Sequence, residues 1–94
     1  MENYIIFSNM TKRYREFNFD IDNENKGELI IQANDNYDFE KLLDNCNQNI
    51  KVSVFNDDIS MKEEILVFNL MGGNLINLNN KTGTFVFSVF KSSK

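Results

Sequence analysis

The amino-acid sequence predicts an α+β fold that is rich in β-structure, with about six to seven short and mostly antiparallel strands and one short amphipathic helix. Three observations lead to this prediction. Several short segments alternate apolar and polar residues, one segment has a helical period instead, and turn-forming residues separate these segments. Because 94 residues can bury one hydrophobic core but hardly two, we expect residues 1–94 to form a single domain.

The alternation is clearest over residues 14–22, where aromatic and aliphatic residues are separated by acidic or amide residues. A period of two is typical of a strand that is buried on one face only. Turn-forming residues follow, and residues 28–33 then resume the alternation. The two segments predict a β-hairpin, and a further short strand is predicted at about residues 4–7.

A helical period appears in residues 38–47, where Phe39, Leu42, Leu43 and Cys46 are spaced as one face of an α-helix. Acidic and amide residues at the start of this segment can cap its first turn, and the asparagines at its end are typical of a helix exit. The spacing predicts a short amphipathic helix whose apolar stripe faces the core.

Four more strands are predicted after the helix, at residues 50–54, 63–71, 75–78 and 84–90. Gly72 and Gly73, followed by an asparagine, are typical of a tight turn between two of them. The last three strands would then form a meander. The whole chain would be either a layered α+β domain or a small barrel with a helical plug.

Charge is distributed unevenly along the chain, although the formal net charge is only −4. Residues 16–44 hold nine carboxylates and two lysines, whereas residues 65–94 hold no acidic residue. Residues 1–15 carry a net positive charge. The chain therefore has one strongly acidic region, and this region is the feature most informative about function.

Catalytic chemistry has no support in the sequence. Histidine is absent, which excludes every triad that uses it as a base. Cys46 lies on the apolar stripe of the predicted helix, where a buried structural thiol is a better interpretation than a nucleophile. We therefore expect a protein that is not an enzyme and has no catalytic residues.

Metal and cofactor sites are likewise not expected. Residues 20–31 resemble a calcium-binding loop only superficially, because Asn25 occupies the position that requires glycine and Ile31 the position that requires a bidentate glutamate. Neither Gly72 nor Gly73 belongs to a dinucleotide-binding or P-loop motif. We expect no metal ligand, no cofactor-binding residue and no cofactor.

The chain is expected to act in the cytoplasm, either of a bacterium or of an infected host cell. A single cysteine cannot form an internal disulfide, which suits a reducing compartment. The N-terminal segment lacks the basic leader and cleavage site of a secretory signal, and no apolar run reaches the roughly 20 residues of a membrane helix. No association with a membrane is therefore expected.

A basic cluster, formed by Lys12, Arg13 and Arg15 around Tyr14, has two interpretations. It can contact a nucleic-acid backbone, or it can be a solvated loop that offsets the neighbouring carboxylates. Three cations give a weak electrostatic footprint in an acidic chain. We favour the solvated loop and expect no direct contact with nucleic acid.

The acidic region offers a candidate binding surface. Carboxylates on alternate residues of a strand stand roughly 7 Å apart, a spacing comparable with that of successive phosphates on a nucleic-acid strand. The surface can therefore imitate a phosphate track toward a basic partner, although the same charges can simply keep a β-surface soluble and its edge unpaired. The predicted partner-binding residues are Glu16, Asp20, Asp22, Glu24 and Glu28.

These features favour a small acidic binding protein that inhibits a partner protein by covering its basic, nucleic-acid-binding surface. Phage anti-defence proteins of the anti-CRISPR kind and nuclease immunity proteins share this profile of size, acidity and missing catalytic motif. The alternative is a structural or assembly module. Residues 84–90 are apolar on both faces, which is typical of a central strand or of an interface, and a homodimer would then form through Phe85, Phe87 and Phe90.

Overall fold

The computed structural model of the chain describes residues 3–56, 66–79 and 82–92. Within these residues, six strands form one antiparallel sheet that curls into a half-barrel, and one helix packs against it. In chain order, the elements are β1 (Asn3–Phe7), β2 (Phe17–Ile21), β3 (Lys26–Ala33), α1 (Asn36–Asn45), β4 (Lys51–Asn56), β5 (Leu66–Asn79) and β6 (Thr82–Lys91). The predicted α+β fold with one helix is confirmed, with six strands rather than six to seven.

The strand order places two consecutive strands at opposite edges of the sheet. The order is β1–β4–β5–β6–β3–β2, so β1 and β2 are the edge strands. The chain between them returns along β1, where Tyr14 and Ile5 form an isolated antiparallel bridge with both N–O distances at 2.9 Å. Because Ile5 pairs with β4 on its other side, this bridge partly covers the outer edge of β1 before the chain leads into β2.

The predicted turn at Gly72 and Gly73 is wrong, because both residues lie inside the long strand β5. Between Leu70 and Gly73, two residues of β5 oppose one residue of β6, which makes a β-bulge. Gly72 has a φ of 105°, and a Cβ atom on Gly73 would lie 2.5 Å from the ring of Phe87. The bulge and the ring contact thus require glycine here. The expected meander is a pair of long strands, and residues 63–65 of the predicted segment lie outside the described residues.

The hydrophobic core lies on one face of the sheet, where the helix packs. Alternate residues of the strands point into it, so that rings from distant strands meet. Phe19 of β2 stacks on Phe68 of β5 with ring centroids 4.6 Å apart. Burial of such apolar surface is the main favourable contribution to folding. The largest fully buried apolar side chains are Phe7, Phe85, Phe87, Ile5, Leu29, Ile31, Leu42 and Val52.

The helix is confirmed, but it lies two residues closer to the N-terminus than predicted. Asp35 caps it, since its side chain accepts a hydrogen bond of 2.8 Å from the backbone N of Asp38. The buried residues are Leu42 and two polar residues, Asp38 and Asn45, whereas Leu43 is 44% exposed. The predicted apolar stripe is therefore wrong at Leu43, because the helix turns its two polar residues inward to partners on the segment before β2.

Candidate functional site

The predicted acidic surface is exposed on the hairpin formed by β2 and β3. The half-buried Phe17, Phe19 and Ile21 pack against the core, and therefore the alternate positions of β2 face solvent. In the strand order, no described strand pairs with the outer side of β2. All five predicted partner-binding residues are exposed, and we name them the acidic hairpin: Glu16, Asp20, Asp22, Glu24 and Glu28.

Two carboxylates of the acidic hairpin face each other across the strands. Asp20 and Glu28 are direct partners in the antiparallel register, which places their Cβ atoms about 4.5–5.5 Å apart. Neither has an ion-pair partner among the residues that the structure describes. Like charges at such a pair destabilise a sheet. Fold stability therefore does not account for this arrangement.

Asp22 has a structural role in the turn between β2 and β3. Its Oδ1 atom accepts hydrogen bonds from the backbone N of Glu24 at 2.8 Å and of Lys26 at 3.0 Å. Asn25 completes the turn with a φ of 66°, a conformation that asparagine tolerates better than most residues. Asp22, one of the predicted binding residues, thus also stabilises the turn.

The predicted self-association residues lie on two different faces of β6. Phe85 and Phe87 are 0% exposed, and Phe85 packs against Phe39 of the helix. Phe90 is half-buried on the opposite face. β6 lies in the middle of the sheet, between β5 and β3, and its face that carries Phe85 and Phe87 belongs to the core. The prediction of a contact surface is therefore corrected for Phe85 and Phe87, and only Phe90 remains accessible.

An ion pair between a buried carboxylate and a partly exposed lysine, which the sequence did not predict, joins the helix to the segment before β2. Asp38 is only 3% exposed, and Nζ of Lys12 lies 2.5 and 2.6 Å from its two carboxylate oxygens. The hydroxyl of Tyr14 donates to Oδ1 of Asp38 at 3.1 Å. Burial, followed by the Asp38 carboxylate, raises the pKa of Tyr14 above its ordinary value of 10.0. Tyr14 is therefore a hydrogen-bond donor at neutral pH and not a base.

A second polar contact joins the same two elements. Asn9 Nδ2 donates to Oδ1 of Asn45 at 2.7 Å, and Asn45 Nδ2 donates to the sulfur of Met10 at 3.6 Å. Buried polar groups normally have such partners. In the sequence, the signal for these buried polar residues was their helical spacing, which places Asp38, Leu42 and Asn45 on one helix face.

The arginines of the basic cluster contact an aromatic ring. The guanidinium carbons of Arg13 and Arg15 lie 4.7 and 5.1 Å from the ring centroid of Tyr4. Tyr4 is 3% exposed and also stacks on Phe55, with centroids 5.3 Å apart. Because Tyr14 points into the core, its two arginine neighbours share the outer face of the sheet with Tyr4. Both arginines are exposed to solvent above this ring.

Cys46 is packed as a structural residue. Its thiol contacts the backbone oxygen of Leu42 at 3.4 Å, and burial raises its pKa. A protonated thiol is a poor nucleophile. Among the described residues, no group of three or more histidine, cysteine, aspartate or glutamate side chains is placed to hold a metal ion.

The described segments contain one short helix. The ten residues of α1 form the one helix there, and no helix in this part of the chain has the length and apolar character needed to cross a membrane.

Comparison of the chain with protein-family models, with curated proteins and with solved structures gave no match.

Proposed function

We propose that the protein is a small acidic binding protein without enzymatic activity, which inhibits a partner protein by covering its basic, nucleic-acid-binding surface. Phage anti-defence proteins of the anti-CRISPR kind and nuclease immunity proteins act in this general way, and the cytoplasm of a bacterium or of an infected host cell is the proposed place of action. The observation that carries the proposal is that Asp20 and Glu28 are exposed and directly opposed, with no ion-pair partner among the described residues.

The spacing of the acidic hairpin fits a surface built for a polycation. Along a strand, alternate carboxylates stand roughly 7 Å apart, and across the two strands opposed carboxylates are closer, at about 5 Å. Glu16 and Glu24 extend this array beyond both ends of β2. Because β2 is an edge strand, a partner can approach the array without meeting another element of the sheet.

The competing explanation is that these charges keep an edge strand soluble and unpaired. Such protection requires charge on the edge strand itself, and Asp20 supplies it. Protection of the edge does not require Glu28, which lies one strand further in, on β3. Glu28 is directly opposite Asp20, and two like charges at such a position destabilise the strand pair. The opposed pair thus favours recognition over protection.

A capture experiment with a matched variant tests the proposal. The immobilised wild-type chain and the Asp20→Asn/Glu28→Gln variant, which keeps both side-chain shapes, are incubated with lysate of the native host or its prey. We expect the wild type to enrich a nucleic-acid-binding protein that the variant loses and that added duplex DNA displaces. Equal capture by both chains, or capture insensitive to DNA, would contradict the proposal.

A second candidate function is self-association as an assembly module, and one observation favours it. Three half-exposed apolar residues are grouped on the outer face of adjacent strands: Val86 pairs with Ile30 in the register of β3 and β6, and Phe90 lies on the same face of β6. Sedimentation over a concentration range tests this alternative. A homodimer that Phe90→Ser dissociates would support it, and a monomer at high micromolar concentration would contradict it.

A further inference from the structure

The two edges of the sheet differ in what covers their backbone. At β1, Tyr14 and Ile5 exchange two backbone hydrogen bonds of 2.9 Å, so the outer side of this edge is partly occupied. At β2, the described residues form no such bridge. An edge strand whose backbone donors and acceptors are unpaired is a template on which another strand can form. β2 is therefore the edge of the sheet at which a strand can be added.

The hydrogen bonds of the hairpin show which backbone groups of β2 point outward. The backbone N of Asp22 donates to the oxygen of Lys26 at 2.7 Å, and the register continues in steps of two through Asp20 and Asn18. Since these residues bond to β3, the residues between them direct their N–H and C=O groups away from it. None of these outward groups has a hydrogen-bond partner within the part of the chain that the structure describes. They belong to Phe17, Phe19 and Ile21.

The side chains of these three residues are also incompletely covered. They pack against the core but are only half-buried, whereas Leu29 and Ile31, their neighbours on β3, are 0% and 1% exposed. β3 has a strand on each side, and β2 has a described strand on one side only. Apolar side chains on a strand added beside β2 would remove the remaining surface of Phe17 and Phe19 from water, which is favourable.

The outer face of the same edge is acidic. Asp20 is exposed and directly opposes Glu28 on β3, and Asp22 follows at the turn. A residue of an added strand that lay opposite Asp20 would have its Cβ atom about 5 Å away, so a lysine or arginine there would form an ion pair with it. A second copy of this chain is a poorer occupant, because it would bring another acidic hairpin against the first. Charge complementarity thus selects a basic strand.

We propose that β2 accepts an extended segment of the partner protein as an additional antiparallel strand, in which apolar residues alternate with lysine or arginine. Every strand pair described in the sheet is antiparallel. The apolar residues lie opposite Phe17 and Phe19, and the basic residues lie beside Asp20. In this mode of recognition, main-chain hydrogen bonds supply affinity and alternate side chains supply specificity. The inference rests on the proposed function for the basic character of the partner, and it adds the element through which that partner binds.

A short synthetic peptide of alternating valine and lysine, added to the whole chain, tests this inference. Amide hydrogen exchange, followed by NMR, measures which backbone groups become bonded. We expect exchange at the amides of Phe17, Phe19 and Ile21 to slow by about tenfold or more at saturating peptide. The amides of Asn18 and Asp20 already bond to β3 and should change less. A control peptide with its valines and lysines in two separate blocks keeps the charge but loses the alternation, and it should give no such protection.

Methylation of the peptide backbone separates strand addition from simple attraction of charge. In the antiparallel register, the valines lie opposite Phe17 and Phe19 and direct their N–H groups toward β2, whereas the N–H groups of the lysines point away. Methylation of the valine nitrogens should therefore abolish the protection, and methylation of the lysine nitrogens should leave it nearly unchanged. The two methylated peptides have the same charge. Equal binding of both, or the reverse order, would overturn the inference.

Variants of the chain test the acidic side of the edge. Asp20→Asn/Glu28→Gln should weaken binding of the alternating peptide by about fivefold, because the lysines lose exposed ion-pair partners. Glu40→Gln removes an exposed carboxylate from the helix and should leave the affinity unchanged. An equal loss in both variants would show non-specific attraction and would overturn the inference.

Failure of this inference is distinguishable from failure of the proposed function. If the chain captured a nucleic-acid-binding protein from lysate but the alternating peptide left the amides of Phe17, Phe19 and Ile21 unprotected, the added strand would be wrong and the inhibitory function would stand. Protection of these amides without such a capture would support the added strand and contradict the inhibitory function.

Discussion

Lys12 and Asp38 form an ion pair in which the ammonium nitrogen contacts both oxygens of a carboxylate that is almost fully buried. The pair joins the helix to the segment that covers the edge of β1. Removing Lys12 leaves the buried carboxylate of Asp38 with the hydrogen bond from Tyr14 as its remaining side-chain partner among the described residues. We therefore expect Lys12→Met to lower the free energy of unfolding by about 2 kcal/mol, measured by urea denaturation.

The control for this prediction is Lys51→Met, since Lys51 is exposed on β4 and should change the free energy of unfolding by less than about 0.5 kcal/mol. If both variants behaved alike, the ion pair would contribute nothing specific. The double variant Lys12→Met/Asp38→Leu removes both charges and should be more stable than Lys12→Met alone.

The opposed pair Asp20 and Glu28 predicts a gain of stability when one charge is reversed. Asp20→Lys replaces cross-strand repulsion with attraction, which should raise the free energy of unfolding by about 0.5 kcal/mol. Added salt should stabilise the wild type more than the variant, because it screens a repulsion that only the wild type has. Urea denaturation at low and high ionic strength measures both effects.

The same reversal should weaken binding to a basic partner while the fold gains stability. The loss should appear mainly in the association rate and should shrink at high salt, as expected for exposed charges that steer an encounter. Lys91→Glu, on the segment without acidic residues, is the matched control and should matter less. Undiminished binding by Asp20→Lys at low salt would leave the carboxylates with a solubilising role alone.

Asp22 should behave differently from the rest of the acidic hairpin. Asp22→Ala removes the oxygen that accepts two backbone hydrogen bonds in the turn, and we expect it to lower the free energy of unfolding by about 1 kcal/mol. Glu24→Ala, two residues on, should have little effect on stability. Equal stability of the two variants would contradict the turn role. A charge reversal at Asp22 therefore cannot test partner binding without also disturbing the fold.

Gly73 should tolerate no side chain. A Cβ atom there would overlap the ring of Phe87, which is fully buried and cannot easily move. Gly73→Ala should lower the free energy of unfolding by about 2 kcal/mol or more. At Gly72 a Cβ atom has space, and the positive φ alone makes alanine unfavourable, so Gly72→Ala should cost about 1 kcal/mol. Thermal denaturation ranks the two, and the reverse order would contradict the bulge geometry.

Tyr14 predicts a loss of stability at alkaline pH. Its pKa is higher in the folded chain than its ordinary value of 10.0, so the folded state holds the proton that the unfolded state releases. The contribution to stability is complete below pH 10 and is lost as the pH rises above it. Tyr14→Phe should flatten this part of the curve of stability against pH. An unchanged slope in the variant would assign the alkaline loss to other groups.

Local sequence patterns were sufficient for the hairpin and the helix. Alternation in β2, turn chemistry around Asp22 and the helical period near Leu42 all depend on neighbours within a few residues, and each element was found close to its predicted place. The exposure of the acidic side chains followed from the same alternation, because opposite faces of a strand point in opposite directions.

Contacts between distant segments decided the remainder. Gly72 and Gly73 fit a turn or a bulge equally well, and the outcome depended on β6 lying alongside both halves of β5. Phe85 and Phe87 became core residues because their face of β6 meets rings from distant segments, Phe39 of the helix and Phe7 of β1. The inward turn of Asp38 required Lys12, which lies 26 residues away in the chain.

The sequence by itself therefore determined the strand-rich fold class, the single helix and the acidic face, since these depend on the period of side chains along one segment. The tertiary structure alone decided the strand order, the burial of the aromatic face of β6 and the stacking of Arg13 and Arg15 on Tyr4. These features depend on which segments become neighbours, and the pairing of segments is a property of the whole folded chain.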